Sequence, residues 1–421
     1  MTAGDNGASR QGTRTDRVAV VGLGRVGLPF ALAMAEAGFP VIGVDVDGAL
    51  VERILRREAP FQEDGLADYM TRYVGRGFEP TTDARQLDGV DYVVITVGTP
   101  VDDNLNPVLT DILTVIDTLA PFVRRGQTII LRSTMSPGTT ARVCRYLEQR
   151  SGLQIEKDIF VAACPERIAE GRAFEEMRTI PQLVGGAGPA STARAASLFA
   201  ALDVETLETD ALSAEIAKLF TNMYRYVQFA LANEFFMVAE QYGRSYSEIR
   251  RLVNHGYARG GLASAGLAAG PCLYKDGFFL LDAVPYTELI TTSWRINENL
   301  PNFLVSLLER QRPLAGARVA LLGMAFKANI DDTRQSLSFR LQKLLRAREA
   351  TVLAHDPYVA RYAGRALAEV VEEADIVIVA VPHDPYLEEL PSMLRKRAGI
   401  LVCDVWNVCG NGRTLFGGEA L

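Results

Sequence analysis

The sequence predicts an α/β protein of two doubly wound lobes joined by a long helix and a helical middle section. Three observations predict it. A strand, glycine turn, helix and second strand open near Arg17; the same order returns near Arg318; between them runs an apolar helical stretch too long to belong to either sheet. At 421 residues the chain also exceeds the size at which a single hydrophobic core keeps growing, so two or three domains are expected.

The first lobe begins RVAVVGLGRVGLPFALAMAEAGFPVIGVDVD: an apolar strand, the turn Gly22-x-Gly24-x-x-Gly27 with Arg25 and Val26 inside it, a helix, a second apolar strand, and Asp45. Glycines in this context allow the tight turn and let a pyrophosphate approach the next helix N-terminus, where backbone N–H groups and the helix dipole favour an anion. An acid about 20 residues on is suited to a ribose 2′-hydroxyl. Asp45 would repel a 2′-phosphate, so the expected cofactor is NAD, held by Gly22, Gly24, Arg25, Val26, Gly27 and Asp45. This is the pattern of a Rossmann-like lobe.

Two further apolar strands follow, Asp91 to Gly98 leading to Thr99, and Gln127 to Arg132 leading to Ser133 and Thr134. Ligands of open parallel sheets collect beyond the carboxyl ends of strands, which puts the hydroxyls of Thr99 and Thr134 within reach of cofactor or substrate; each can equally cap a turn. The strand Phe160 to Ala163 runs into Cys164-Pro165-Glu166-Arg167-Ile168-Ala169-Glu170-Gly171. If that segment is helical, Glu166 and Glu170 share one face; a solvated pair is the plainer alternative.

The long helix is expected from a cap at Asp210 or Ser213 to about Tyr242, with Gly243 ending it. Apolar residues take up most of its circumference, which calls for burial between domains or against a second copy of the chain. Lys218 and Asn222 are polar exceptions one turn apart, and a lysine in so apolar a helix needs a partner. Helical patterns continue to about Arg312 and enclose Gly270-Pro271-Cys272-Leu273-Tyr274-Lys275-Asp276. A neighbouring cation favours the thiolate of Cys272, the reactive form of cysteine, although free cysteines are commonly small buried hydrophobes.

The second lobe repeats the first: RVALLGMAFK echoes RVAVVGLGRVG, VLAHDP echoes VIGVDVD, and ADIVIVAVP echoes VDYVVITVG. Only Gly323 survives of the glycine trio, so a nucleotide other than a second NAD is expected there. Lys327 and Arg334, on either side of Asp331-Asp332-Thr333, are its phosphate or sugar contacts, or else surface ion pairs. The expected boundaries are 1–16 for a disordered N-terminus, 17–209 for the NAD lobe, 210–312 for the helical section with the thiol loop, and 313–421 for the second lobe.

Composition removes other classes. A net charge of -7 gives no support to nucleic-acid or membrane-surface binding. The five cysteines are odd in number, scattered and free of C-x-x-C pairs, so neither a disulfide framework nor a zinc site is expected, and His255, His355 and His383 are dispersed. No run reaches the roughly 18 apolar residues of a membrane span, and the polar first 16 residues lack a signal-peptide core, so a cytoplasmic location is expected. An NAD lobe combined with a thiol suggests covalent aldehyde oxidation, in which a thiohemiacetal loses hydride and the resulting thioester is hydrolysed.

From Arg17 to about Gly410 the chain resembles the UDP-glucose/GDP-mannose 6-dehydrogenase superfamily, on GLGRVGLP with Asp45, the Thr99-Pro100 step, Ser133-Thr134, Pro165-Glu166 through Glu170-Gly171, AKLFTN, GPCLYKD, and GMAFK with DDTR. The resemblance implies four-electron oxidation of a nucleotide sugar at C6, with UDP in the second lobe and a homodimer. It makes Cys272 the nucleophile, with Lys218 and Asn222 serving the reacting oxygen, Asp276 and Thr134 holding water and Lys218, and Glu166 as acid/base. Glu170 falls near cofactor or sugar, Lys327 on the sugar or phosphate, and Arg259 on substrate across the dimer. The run CPERIAEG, with Arg167 after Glu166 as a further substrate contact, looks most like UDP-N-acetylmannosamine and UDP-N-acetylglucosamine dehydrogenases, the manno sugar first; UDP-glucose or GDP-mannose is the alternative substrate. Ala269-Gly270-Pro271 departs from the family's Gly-Gly, and Tyr274 from a frequent proline. A catalytically silent nucleotide-sugar-binding protein is the alternative of another class. The assigned machinery leaves Lys275 without a role.

Overall fold

The computed structural model describes residues 14–103, 105–283 and 287–421, the side chains of 282 and 283 excepted. Most of the stretch expected to be a disordered N-terminus, 1–13, lies outside the described residues. Arg14 is placed: its N–H donates to the Gly38 carbonyl and its guanidinium lies over Phe39. The chain divides into two compact units, the first ending at Leu219 and the second running from Phe220 to Leu421.

The first unit carries, among its described residues, strands β1 (Val18–Val21), β2 (Val41–Val44), β3 (Phe78–Thr81), β4 (Tyr92–Ile95), β5 (Thr128–Leu131), β6 (Phe160–Ala163), β7 (Gln182–Gly186) and β8 (Thr206–Asp210). They form one sheet in the order β3-β2-β1-β4-β5-β6-β7-β8, parallel except where β7 runs against β6. Successive strand residues face opposite sides. Val18, Val20, Val94 and Ile130 therefore enter one core, while Ala19, Val93, Ile95 and Ile129 enter another on the other face. Burial on both faces explains why these strands are apolar at every position instead of alternating. The order reverses between β1 and β4, so the crevice beyond their carboxyl ends is flanked by Gly22–Gly27 and by Thr96–Thr99.

The second unit contains β9 (Arg318–Leu322), β10 (Thr351–His355), β11 (Ile376–Val379), β12 (Leu401–Cys403) and β13 (Leu415–Gly417), in the order β10-β9-β11-β12-β13, with β13 antiparallel at the edge. The two-faced rule holds again: Val319, Leu321 and Ile376 join the core that also receives Phe236 and Leu304 from helices, whereas Ala320, Leu322 and Val377 join a second core.

The long helix spans Ala211–Gln241. Asp210 caps it, its carboxylate accepting from the Ser213 N–H at 3.0 Å and the Ser213 hydroxyl at 2.6 Å. Gly243, at φ +62°, ends it. Its apolar circumference is split: Met223, Tyr226, Ala230 and Phe236 are buried, but Phe220, Tyr224, Leu231, Phe235 and Val238 are exposed. No helix of the described residues is long and apolar enough to cross a membrane.

Candidate functional site

The glycine turn of the first unit shows three different requirements. Gly22 sits at φ +95°, which side chains rarely adopt, and a Cβ on Gly27 would lie 1.9 Å from the Gly22 carbonyl oxygen, so both are fixed by the fold. A Cβ on Gly24 would meet nothing within 4 Å, so the fold itself does not demand a glycine there and the space is open to a ligand's approach. The helix Gly27–Glu36 has no side-chain cap and no acid in its first turn, leaving its positive end to an anion. Asp45 accepts from the Leu23 N–H at 2.6 Å and stays half-exposed. These features fit a dinucleotide pyrophosphate with its ribose on Asp45.

The hydroxyl of Thr99 donates to the Thr134 carbonyl at 2.7 Å, and that of Ser133 to Val97 at 2.6 Å. Both stitch the exit loop of β4 to that of β5. Thr99 is buried and gives this bond to the fold.

The segment after β6 is not helical, so Glu166 and Glu170 do not share a face. Glu166 turns inward to the buried guanidinium of Arg132 and accepts the N–H groups of Arg167 at 2.6 Å and Ile168 at 2.9 Å. Arg132 lies over the rings of Phe30 and Phe199 and also donates to Gln182 at 2.9 Å. Burial pulls it down to about 9, still a cation at neutral pH. Glu170 instead faces Arg25 at 3.8 Å, and Arg25 lies over Phe61. Two residues on, Glu63 accepts the N–H groups of Gly171 and Ala173, each at 2.7 Å. The guanidinium of Arg167 donates to the Pro181 carbonyl, so the fold occupies a group expected to meet substrate.

In the second unit Cys272 is exposed and opens a short helix, Leu273–Asp276. Asp276 has no exposed surface; it accepts from Asn222 Nδ2 at 2.6 Å and from Lys275 Nζ at 3.0 Å. Lys275 also lies over the Phe279 ring. Lys275, which the sequence left without a role, is thus ion-paired with the buried Asp276. Lys218 is buried one helical turn before Asn222. The loop leading to the thiol hangs on Asn233, whose amide donates to the Gly266 carbonyl at 3.1 Å and whose carbonyl accepts the Gly266 N–H at 2.9 Å. At Gly270, φ is +111° and a Cβ would lie 2.6 Å from the Phe326 ring, so the thiol loop rests on the GMAFK segment.

Lys327 is half-buried on that segment. Arg334 makes a two-pronged pair with Asp332, down to 2.6 Å, which is the ion-pair alternative. Arg259 is exposed, its guanidinium over Tyr257. Two histidines that the sequence scatters converge: His383 bonds Asp356 at 3.1 Å and His355 bonds Tyr386 at 2.9 Å. Arg132, Glu63, Asn233, Phe326, Asp356 and His383 were not legible as site-building residues, because their partners lie tens of residues away.

Family descriptions match the chain in three consecutive blocks: the NAD-binding domain of the UDP-glucose/GDP-mannose dehydrogenase family over 16–203, its central domain over 212–299, and its UDP-binding domain over 320–411. The chain belongs to the UDP-glucose/GDP-mannose dehydrogenase family. It is an NAD-dependent nucleotide-sugar dehydrogenase, an oxidoreductase with separate NAD- and UDP-binding domains. Among its relatives, a UDP-N-acetyl-D-mannosamine dehydrogenase of Pyrococcus horikoshii is 34% identical over 88% of this chain and 90% of that one. A solved UDP-D-ManNAc dehydrogenase structure from Pyrococcus horikoshii superposes with a TM-score of 0.88 at 32% identity, covering 93% of this chain and 96% of the other. A UDP-glucose dehydrogenase from Pyrobaculum islandicum gives 0.85 at 26% identity, covering 94% and 96%.

Proposed function

We propose that this family member oxidises the C6 hydroxymethyl group of a UDP-N-acetylhexosamine, UDP-N-acetylmannosamine first, to the uronate. The similarity to UDP-N-acetyl-D-mannosamine dehydrogenase over nine-tenths of the chain carries this reading. NAD⁺, when bound, supplies the hydride acceptor for both oxidations. The overall balance is one primary alcohol, one water and two NAD⁺ giving one carboxylate, two NADH and three protons.

Cys272 is assigned as the nucleophile: its thiolate adds to the C6 aldehyde to form a thiohemiacetal, which loses hydride to become a thioester. Lys218 takes the alcohol proton and stabilises oxyanion charge, and Asn222 donates to the same oxygen while its amide stays anchored on Asp276. Thr134 and Asp276 hold water and cation in place. Glu166, held by Arg132 and by the N–H groups of Arg167 and Ile168, is assigned as the acid/base in thioester formation or hydrolysis. Lys327 and Arg334 are assigned to the UDP-sugar, with Arg334 released from Asp332 on binding. The joint retention of Cys272, Lys218, Asn222 and Asp276 supports turnover over silent binding.

The bare apolar stripe of the long helix supports a homodimer, in which Arg259 serves the partner's substrate. Five cysteines without a disulfide support a reducing, cytoplasmic location. The test is NADH formation from UDP-N-acetylmannosamine, UDP-N-acetylglucosamine, UDP-glucose and GDP-mannose. Turnover is expected with an N-acetylhexosamine; turnover confined to UDP-glucose or GDP-mannose would overturn the proposed substrate.

A further inference from the structure

The two lobes share a turn down to its hydrogen bonds, and then use its acid differently. Gly22 and Gly323 both sit at φ +95°. The Gly22 N–H donates to Val44 and the Gly323 N–H to His355, each at 2.8 Å. Leu23 donates to Asp45 and Met324 donates to Asp356, each at 2.6 Å. By position, Asp356 is therefore the second lobe's counterpart of the ribose acid.

Asp45 remains half-exposed, whereas Asp356 has no exposed surface. One oxygen of Asp356 accepts Met324 N–H, Ala325 N–H at 2.9 Å and His383 Nε2 at 3.1 Å; the other accepts Tyr358 N–H at 2.9 Å and Val359 N–H at 3.1 Å. A carboxylate offers about four lone-pair directions, so five donors leave no capacity for a ribose hydroxyl. His383 is equally buried, and its Nδ1 accepts the Asn329 N–H at 2.9 Å. A ring nitrogen that accepts carries no proton, so the proton sits on Nε2 and is donated to Asp356. Asn329 Oδ1 accepts the Asp384 N–H at 3.0 Å, and the Ser336 hydroxyl donates to the Ala325 carbonyl at 3.0 Å. The segment Met324–Asn329 is thus pinned at both ends, and Lys327 lies between the pins.

We propose that Asp356 and His383 are positioning residues for nucleotide-sugar binding: the acid that would hold a ribose has become, through His383, a clamp on the loop that presents Lys327. This rests on the assignment of Lys327 to the UDP-sugar. The same loop carries Phe326, on which Gly270 of the thiol loop is seated, so the clamp also fixes the floor beneath the thiol loop.

The test uses the full chain, UDP as the binding probe in calorimetry, and steady-state kinetics with the accepted nucleotide sugar. Asp356→Asn is expected to weaken UDP binding and raise the nucleotide-sugar KM about tenfold, with the NAD⁺ KM held within about twofold. His383→Asn keeps an acceptor for Asn329 but no donor reaching Asp356, and is expected to show the same split more weakly. His383→Gln, whose amide reaches the carboxylate, is expected to recover most of the loss. A merely structural role would lower the melting temperature and move the NAD⁺ and UDP parameters together. UDP affinity and nucleotide-sugar KM within about twofold of wild type in both Asp356→Asn and His383→Asn would overturn the inference. Should Asp356→Asn fail to fold, the His383 pair decides, because Asp356 keeps its four backbone donors there. Failure of the wild-type chain to bind UDP would overturn the Lys327 assignment and this inference with it; UDP binding untouched by the variants would overturn this inference alone.

Discussion

At the scale of single residues, thiol chemistry is sorted by burial. Burial pushes Cys144 and Cys164 up to about 12 and Cys403 and Cys409 higher still, while Cys272 is the exposed thiol. Iodoacetamide at mildly alkaline pH is therefore expected to label Cys272 first and abolish NADH formation, as peptide mass spectrometry can follow. Labelling of Cys144 ahead of Cys272 would contradict that order. The Cys272→Ser variant is expected to stall before acid release, and full uronate production by it would exclude the nucleophile role. Asp356 contributes to acid stability. Burial raises this carboxyl, but the His383 bond and the Ala325 and Met324 N–H groups outweigh burial and hold it well below the ordinary range. A carboxyl depressed in the folded state contributes stability that is complete above its unfolded value near 4 and is lost as pH falls through the folded one. Urea unfolding of the wild type is thus expected to weaken below about pH 4, and Asp356→Asn to flatten that acid limb. The exposed Cys272 carries a local cue in the sequence, a thiol beside a cation in a small-residue run. The ion pair of Lys275 with the adjacent Asp276 was not legible, since Asp276 is fully buried and burial is not local information.

At the scale of elements, the glycine turn was legible because Gly22, Gly24 and Gly27 themselves fall within one strand end, one turn and one helix start. The structure then separates the three positions. Gly27→Ala is expected to disrupt the first unit, since the added carbon cannot coexist with the Gly22 carbonyl at 1.9 Å; soluble expression or the melting temperature would fall sharply. Gly24→Ala has open space and is expected to keep wild-type stability within about 0.5 kcal/mol while raising the NAD⁺ KM and leaving UDP affinity intact. A Gly24→Ala variant with an unchanged NAD⁺ KM would remove this turn from the cofactor site. The segment after β6 shows the converse. Its glutamates invite a helical reading by spacing, but Glu166 is claimed by Arg132 from β5's exit and Glu170 faces Arg25 from the glycine turn, and such pairings exist only once the sheet order is known. The second lobe was recognisable by repetition, yet the reuse of its acid was not, because VLAHDP and VIGVDVD look alike while their surroundings differ.

At the scale of the whole molecule, the long helix poses the remaining energetic question. Its apolar periphery calls for burial between domains or against a second copy, and within the second unit Phe220, Tyr224, Leu231, Phe235 and Val238 follow one another at spacings of four, seven, four and three residues, a single stripe that stays bare. Ile249, Leu252 and Val253 of the following helix, Tyr246–Asn254, are exposed as well. A single large apolar side chain left in water forgoes roughly 1.5–3 kcal/mol relative to burial, so covering several of them supplies a strong drive to associate. An isologous pairing of two such helices meets the need with one surface, consistent with the proposed dimer. Light scattering is expected to give twice the chain mass, and Phe220→Arg with Phe235→Glu to give a monomer. If Arg259 serves across that dimer, the monomer loses kcat/KM for the nucleotide sugar while NAD⁺ still binds. Mixing the dissociated variant with an Arg259→Ala chain would then restore little activity, because the pairing surface itself is lost. A wild-type monomer with full activity would refute both the dimer and the shared arginine, and would leave the bare stripe to be covered by something other than a second copy.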